Sequence, residues 1–370
     1  MTASTLEMGR PAVAGKAGTR RAEDVGGPAQ PLVIVKDLKK HFAAKRKLLA
    51  RTPPPPVRAV DGVSFSIAKG TTLGVVGESG CGKSTMARLL IRLIEPDAGE
   101  VIFDGELVGG PRGIGLRELR SQVQMVFQDS YASLNPRLPI EETVAFGPIG
   151  DGVPVAEARR RAVTILDQVG LDSRTFLQRY PHELSGGQRQ RVNIARALAI
   201  EPRLLILDEA VSALDKSVEA QVLNLLVDLK SQYGLTYLFI SHDLNVVRYI
   251  SDEVMVMYLG EVVEIGPVEK VYAAPRHPYT QALLRSQPSM DPDNRTKSPP
   301  ITGDPPNPIA PPSGCRFHPR CAHARSICAR LAPVLTQDEG SGHLVACHMA
   351  SATGDALAAW QAEQPLETAR

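Results

Sequence analysis

The chain has 370 residues, more than one average domain but within reach of one large α/β unit with an appendage. Hydrophobic residues make up 43% and charged residues 22%, ordinary globular usage that excludes a chain disordered throughout. Its 42 basic and 40 acidic residues leave a net charge of +2, which gives no electrostatic case for nucleic-acid binding. No apolar run approaches the ~20 residues that span a bilayer, and the opening MTASTLEMGRPAVAGKAGTRRAED lacks the apolar core of a signal peptide. The expectation is a cytoplasmic protein.

Residues 1–30 are small, polar and aperiodic, and read as a disordered tail. LVIVKDL (residues 32–38) and VSFSI (63–67) are rich in β-formers, and a basic insert ending in Pro53, Pro54, Pro55 and Pro56 separates them as an exposed loop. TLGVVG (72–77) reads as a buried strand running into a glycine loop, with a helix over 84–94 behind it. Residues 141–200 read as mostly helical. LLIL (204–207), TYLFI (236–240) and EVMVMYL (253–259) are short apolar strands alternating with helices, the pattern of a mainly parallel sheet covered on both faces. From 287 to 313 the chain is rich in proline and marks a linker.

GESGCGKS (77–84) matches the phosphate-binding pattern G-x-x-x-x-G-K-[ST] in the strand-to-helix context it requires. Backbone N–H groups around Gly77, Ser79, Gly80, Cys81 and Gly82 wrap a phosphate, and the helix start adds its positive end. Lys83 reaches the β- and γ-phosphates, Ser84 places its hydroxyl on Mg²⁺, and Thr85 follows in the first turn. Cys81 fills a variable loop position that needs no thiol chemistry. LLILDE (204–209) ends a buried strand in two acids, with Asp208 placed for Mg²⁺ and Glu209 for polarising a water. LSGGQ (184–188) offers Ser185, Gly186, Gly187 and Gln188 at a helix start, an anion site by the same physics, although Ser185 alone is equally a helix cap.

Phosphate loop, acidic strand end and LSGGQ together resemble the ABC-transporter ATPases, a P-loop fold with a mainly parallel sheet, an antiparallel β-subdomain and a helical insertion. The resemblance implies that LSGGQ caps the ATP bound on a second subunit. By position within matching flanks it also implies that Gln128 in QMVFQD touches Mg²⁺ or water and links to a transmembrane partner. His242 in FISHD then holds Glu209, water and phosphate in line, and Asp215 in SALD sits at the dimer seam. Phe42 falls where the family places an aromatic ring under adenine, with core packing as its alternative.

VQMVFQDSYASLNPR (123–137), DEAVSALD (208–215) and HPYTQALL (277–284) resemble the dipeptide and oligopeptide permeases, and the first two are closest to their F-type ATPase subunit. Nickel and glutathione importers share these strings. The implied organisation is a tail (1–30), an ATPase domain (31–286, helical subdomain about 141–200), a linker (287–313), a four-cysteine region (314–350) and a second tail (351–370). The implied complex sits at the cytoplasmic face of the membrane. It pairs this chain with a sister ATPase, as a heterodimer or a homodimer, under two permease subunits served by an extracytoplasmic binding protein. A soluble ABC ATPase acting on ribosomes or DNA would carry tandem cassettes or a coiled-coil insertion, and neither is present.

Cys315, Cys321, Cys328 and Cys347 follow the spacing C-x5-C-x6-C-x18-C. Clustered cysteines in a reducing compartment argue for metal before disulfide. Four thiolates suit a [4Fe-4S] cluster or tetrahedral zinc. The absence of closely spaced knuckles favours the cluster, while His318, His323, His343 and His348 nearby keep zinc open, and four cysteines merely buried without metal are the third alternative.

Overall fold

The computed structural model describes residues 24–43, 55–287, 303–304, 306–337, 342–351 and 360. Residues 1–23, most of the basic insert, most of the proline-rich linker and nearly all of 351–370 lie outside the described residues.

In chain order, β1 (Val33–Phe42) and β2 (Val57–Ile67) form an antiparallel pair, and β3 (Thr72–Val76) is followed by α1 (Lys83–Leu90). β4 (Ala98–Phe103) returns to pair with β1 and then with β5 (Glu106–Leu107), giving a four-stranded antiparallel sheet of order β2-β1-β4-β5. In β2, Val63, Phe65 and Ile67 are buried while Ser64 and Ser66 are exposed, the two-residue period of a sheet with one wet face.

α2 (Leu116–Gln122) leads into β6 (Val123–Val126). The helical stretch then comprises α3 (Ile140–Gly150), α4 (Val155–Gln168), the short α5 (Ser173–Phe176) and α6 (Gly186–Leu198). The chain re-enters the large sheet through β7 (Leu204–Asp208), α7 (Lys216–Tyr233), β8 (Thr236–Ile240), α8 (Leu244–Ile250), β9 (Glu253–Tyr258) and β10 (Glu261–Pro267). It ends with α9 (Val268–Ala273), α10 (Pro278–Arg285), α11 (Ser326–Arg330), β11 (Thr336–Gln337), β12 (Leu344–Val345) and α12 (His348–Ser351).

The large sheet has eight strands in the order β11-β12-β10-β9-β3-β8-β7-β6. From β9 to β6 every pairing is parallel, and the strands beyond β9 are antiparallel. All residues of β3, β7 and β8 are buried, which is why they read as unbroken apolar runs. Alternation survives inside the core. Leu205 and Leu207 pack towards α6 and α7, while Leu204 and Ile206 join α1 and the antiparallel sheet.

Two boundaries differ from those expected. Residues 24–30, assigned to the tail, are tied to the body: the Val25 N–H donates to Asp104 Oδ2 at 2.9 Å, and Asp24 pairs with Lys69. Asp104 itself is buried. Burial alone would raise its pKa, but Arg203 and Lys69 hold the carboxyl well below the usual range.

The four-cysteine region, expected as an appendage behind the linker, instead finishes the large sheet. β12 pairs with β10 through Glu264↔Val345 and Ile265↔Leu344, and β11 adds to β12. Two-residue strands leave too little periodicity to be legible in a sequence, and their partner lies some eighty positions away.

Candidate functional site

A parallel sheet releases all its loops at the carboxyl edge, so strand order decides which side chains meet there. The order β3-β8-β7-β6 lines up the phosphate loop, His242, Asp208 with Glu209, and Gln128 along one edge.

The phosphate loop leaves β3 at Gly77, whose φ is +151°, and a Cβ at this position would lie 2.2 Å from the Met257 carbonyl oxygen. At Gly82, with φ +107°, a Cβ would lie 2.1 Å from the Ala59 carbonyl oxygen. These two glycines let the loop pass between β9 and β2, with Ser79 and Gly80 exposed at its tip. Lys83 is buried and donates to the carbonyl oxygens of Gly77 (2.7 Å) and Glu78 (3.1 Å), which holds its ammonium inside the loop. Ser84 and Thr85 follow in the first turn of α1. Cys81 is 3% exposed, and burial pushes its thiol pKa up, so it is packing inside the loop and not a reactive thiolate.

Ser84 Oγ donates to Asp208 Oδ1 at 2.8 Å. Asp208 is buried, and desolvation raises its pKa above the ordinary carboxylate value. A hydroxyl and a desolvated carboxylate form an oxygen-only donor set that fits a hard divalent cation such as Mg²⁺.

β7 ends at Asp208, and Glu209 turns the chain with a left-handed backbone, φ +50°. Such a conformation costs a non-glycine residue about 1–3 kcal/mol. Here it is held by the Glu209 N–H donating to the Ile240 carbonyl at 2.9 Å. The turn carries the carboxylate out of the sheet, where Oε2 accepts from Gln128 Nε2 at 2.7 Å and stands 3.7 Å from His242 Nδ1. Three residues singled out on separate segments of sequence therefore meet on one oxygen. Gln128 and His242 are both exposed, so the group opens to whatever occupies the edge.

LSGGQ has different neighbours. Ser185 is the N-cap of α6; its Oγ accepts from the Gln188 N–H at 3.3 Å, and its own N–H donates to Gln188 Oε1 at 3.0 Å. Gln188 is thus spent on a capping box. The Ser185 hydroxyl proton and the first-turn N–H groups of Gly186 and Gly187 remain for an external acceptor. Gly187 lies against Val218 of α7, and Asp215 caps α7, its Oδ1 accepting from the Val218 N–H at 2.9 Å. The phosphate loop instead touches Ala59, Met257 and Gly260. Phe42 ends β1, 38% exposed, with the Lys40 ammonium 5.8 Å from its ring centre, so core packing does not account for it.

Cys315, Cys321, Cys328 and Cys347 line one cavity with His318, His323 and Trp360. Burial and the neighbouring thiols push Cys315 and Cys321 up to about 12 and raise Cys347. Among the described residues, no three His, Cys, Asp or Glu side chains are gathered so as to hold a single metal ion. HPYT, read only as a mark of the branch, reaches the phosphate loop: the Tyr279 hydroxyl accepts from the Glu78 N–H at 2.8 Å. That contact spans 201 positions and has no signal in the sequence.

The fold and this edge define an ABC-type P-loop ATPase. In agreement, the family described as "ABC transporter" matches residues 60–212, and that described as "Oligopeptide/dipeptide transporter, C-terminal region" matches residues 263–328. The chain is 48% identical over 324 residues to the dipeptide transport ATP-binding protein DppF of Escherichia coli, covering 86% of this chain and 94% of that one. It is 47% identical over 323 residues to DppF of Haemophilus influenzae, covering 86% and 96%.

Among solved structures it resembles cbiO1 of Clostridium perfringens, part of the ABC transporter complex cbiONQ (TM-score 0.57, 29% identity, 66% of this chain and 91% of that one). It also resembles the ATP-binding cassette MJ0796, a dimer in a post-hydrolysis state bound to ADP and Pi (TM-score 0.54, 29% identity, 64% and 98%). The chain belongs to the ATP-binding subunits of ABC transporters, in the branch that carries the oligopeptide/dipeptide C-terminal region.

Proposed function

We propose that this chain is one of two ATPase subunits of a peptide importer and works at the cytoplasmic face of the membrane. The observation that carries the reading is the meeting of Gln128, Glu209 and His242 beside Ser84 and Asp208, while LSGGQ lies among other neighbours. One chain then contributes the phosphate loop to one ATP and the signature to another, so two chains must close face to face. A non-identical sister subunit is the partner we favour. Among the described residues, no helix is long and apolar enough to cross a membrane, which agrees with a peripheral subunit under separate permeases. Tyr131, three residues beyond Gln128, and Phe146 on α3 are 51% and 72% exposed and offer those permeases an apolar contact.

On binding ATP, Lys83 exchanges its carbonyl partners for phosphate oxygens, and the loop N–H groups hold the rest of the triphosphate. Phe42 stacks under the adenine. Ser84 and Asp208, with Gln128, would hold Mg²⁺, which neutralises phosphate charge when bound. Glu209 accepts the proton of the attacking water, held in place by Gln128 and His242. Ser185, Gly186 and Gly187 cap the partner's γ-phosphate, so the chemistry rests on positioning and electrostatics.

The test is reconstitution with the permeases, the sister ATPase and the binding protein in vesicles. Peptide-loaded binding protein should stimulate ATP hydrolysis and drive peptide uptake. Stimulation by nickel or glutathione with none by peptide would reassign the cargo, and activity without the membrane subunits would favour a non-transport ATPase.

We read the four-cysteine cavity as a [4Fe-4S] site. In support, all four thiols line one cavity, and the sequence lacks the closely spaced cysteine knuckles usual for structural zinc. A cluster would be held by these thiolates, and its role would be structural. Protein purified without oxygen should carry about four irons per chain with a visible absorbance band, and Cys321→Ser should lower the iron content. Stoichiometric zinc without iron would reverse the assignment.

A further inference from the structure

The phosphate loop has a partner outside the nucleotide-binding motifs. Glu78, its first variable residue, is held from three sides. Its carboxylate accepts two parallel hydrogen bonds from Arg320, Nη1 to Oε2 at 2.8 Å and Nη2 to Oε1 at 3.0 Å. Its N–H donates to the Tyr279 hydroxyl at 2.8 Å, and its carbonyl accepts from Lys83 Nζ at 3.1 Å. Tyr279, 201 positions away, therefore orients the peptide unit between Gly77 and Glu78, whose carbonyl also accepts from Lys83, and Arg320, 242 positions away, fixes the Glu78 side chain.

This is unlike an ordinary surface ion pair. The Arg320 side chain is 7% exposed and the Glu78 side chain 24%, so little solvent competes with a fork-to-fork geometry. Arg320 also donates to the Tyr258 hydroxyl at 3.3 Å. Tyr258, Tyr279 and Phe317 pack as a ring cluster with centroids 4.6 to 5.3 Å apart, which fixes both partners of Glu78. Arg320 ends a 3₁₀ turn (His318–Arg320) lying between Cys315 and Cys321, two of the thiols that line the cysteine cavity. Tyr279 stands in the first turn of α10, whose cap is His277: its Nδ1 accepts from the Tyr279 N–H at 3.0 Å.

We propose that Arg320 and Tyr279 are positioning residues of the ATP site, and that the four-cysteine region clamps the phosphate loop in its ATP-binding shape through Glu78. This rests on the assignment of that loop as the ATP site. Neither residue touches nucleotide. Tyr279 acts by holding the Glu78 peptide and Arg320 by holding the Glu78 side chain, and together they keep the carbonyls that bind Lys83 in place before ATP arrives.

The test measures equilibrium binding of Mg-ATP to the full chain carrying Glu78→Gln, Arg320→Lys, both together, or Tyr279→Phe, with Lys83→Ala as a control and melting temperature as a check on folding. A lysine keeps the charge but loses the fork. Glu78→Gln and Arg320→Lys should each weaken binding about tenfold, within the usual range of coupling between sites. The double variant should be no weaker than either single one, because both remove the same contact.

In the assembled transporter, KM for ATP should rise with kcat nearly unchanged. Wild-type affinity in these variants, or effects that multiply in the double one, would overturn the clamp. If Arg320→Lys proves unstable, Glu78→Gln and Tyr279→Phe decide the matter from the loop side. Lys83→Ala keeping wild-type affinity would remove the ATP site and the clamp with it. Loss in Lys83→Ala with no change in the other variants counts against the clamp alone.

Discussion

Glu209→Gln should leave ATP binding intact and lower turnover of the assembled transporter by a factor on the order of 10²–10⁴, the usual worth of a positioned general base. The substitution keeps size, rotamer and backbone, including the left-handed turn at φ +50°, and keeps an oxygen able to accept from Gln128. It removes only the basic oxygen that can take a proton from water. ATP should therefore accumulate in a closed pair of subunits, visible as a nucleotide-dependent increase in association between this chain and its partner. Phosphate release within about twofold of the unmodified protein would sink the assignment of Glu209 and, with it, the roles given to Gln128 and His242 as its holders.

Gly187→Ala should abolish most turnover while leaving this chain's own ATP affinity unchanged. A Cβ at Gly187 would fall 2.4 Å from Val218 Cγ1, closer than side chains tolerate, so α6 must shift away from α7. The first-turn N–H groups that cap the partner's phosphate move with it. The phosphate loop, with its different neighbours, should not notice. The steric cause makes a second expectation available, because Val218→Ala clears the space and should restore a substantial part of the activity to the double variant. Loss of ATP binding by Gly187→Ala alone would mean that signature and phosphate loop serve one nucleotide within a single chain, against the paired arrangement. No recovery in the double variant would place the cost elsewhere than on Val218.

Much of this was legible in the sequence because the relevant physics is local. A glycine loop between a strand and a helix, two acids at the end of LLIL, and a serine followed three residues later by glutamine each fix their own geometry within a few positions. The parallel sheet was legible for a related reason: β3, β7 and β8 are buried on both faces, and so are written as unbroken apolar runs. The helix-cap reading of Ser185 was legible for the same local reason. Ser185 is a helix cap, and the same capping box leaves its hydroxyl proton and two glycine N–H groups for an anion.

The sequence by itself determined the class of protein and singled out the residues to which its chemistry is here assigned, since each motif fixes its own short-range backbone geometry. Only the tertiary structure decided how those residues are shared out. Strand order put Gln128 and His242 on the Glu209 carboxylate, which no spacing along the chain encodes. Pairing of β12 with β10 made the cysteine region part of the ATPase sheet, because hydrogen bonds at an open strand edge can be met by residues from anywhere in the chain. The contact of Arg320 with Glu78 arises in the same way: burial gives a charge pair its strength, and burial is a property of the folded surface, not of neighbours in the sequence.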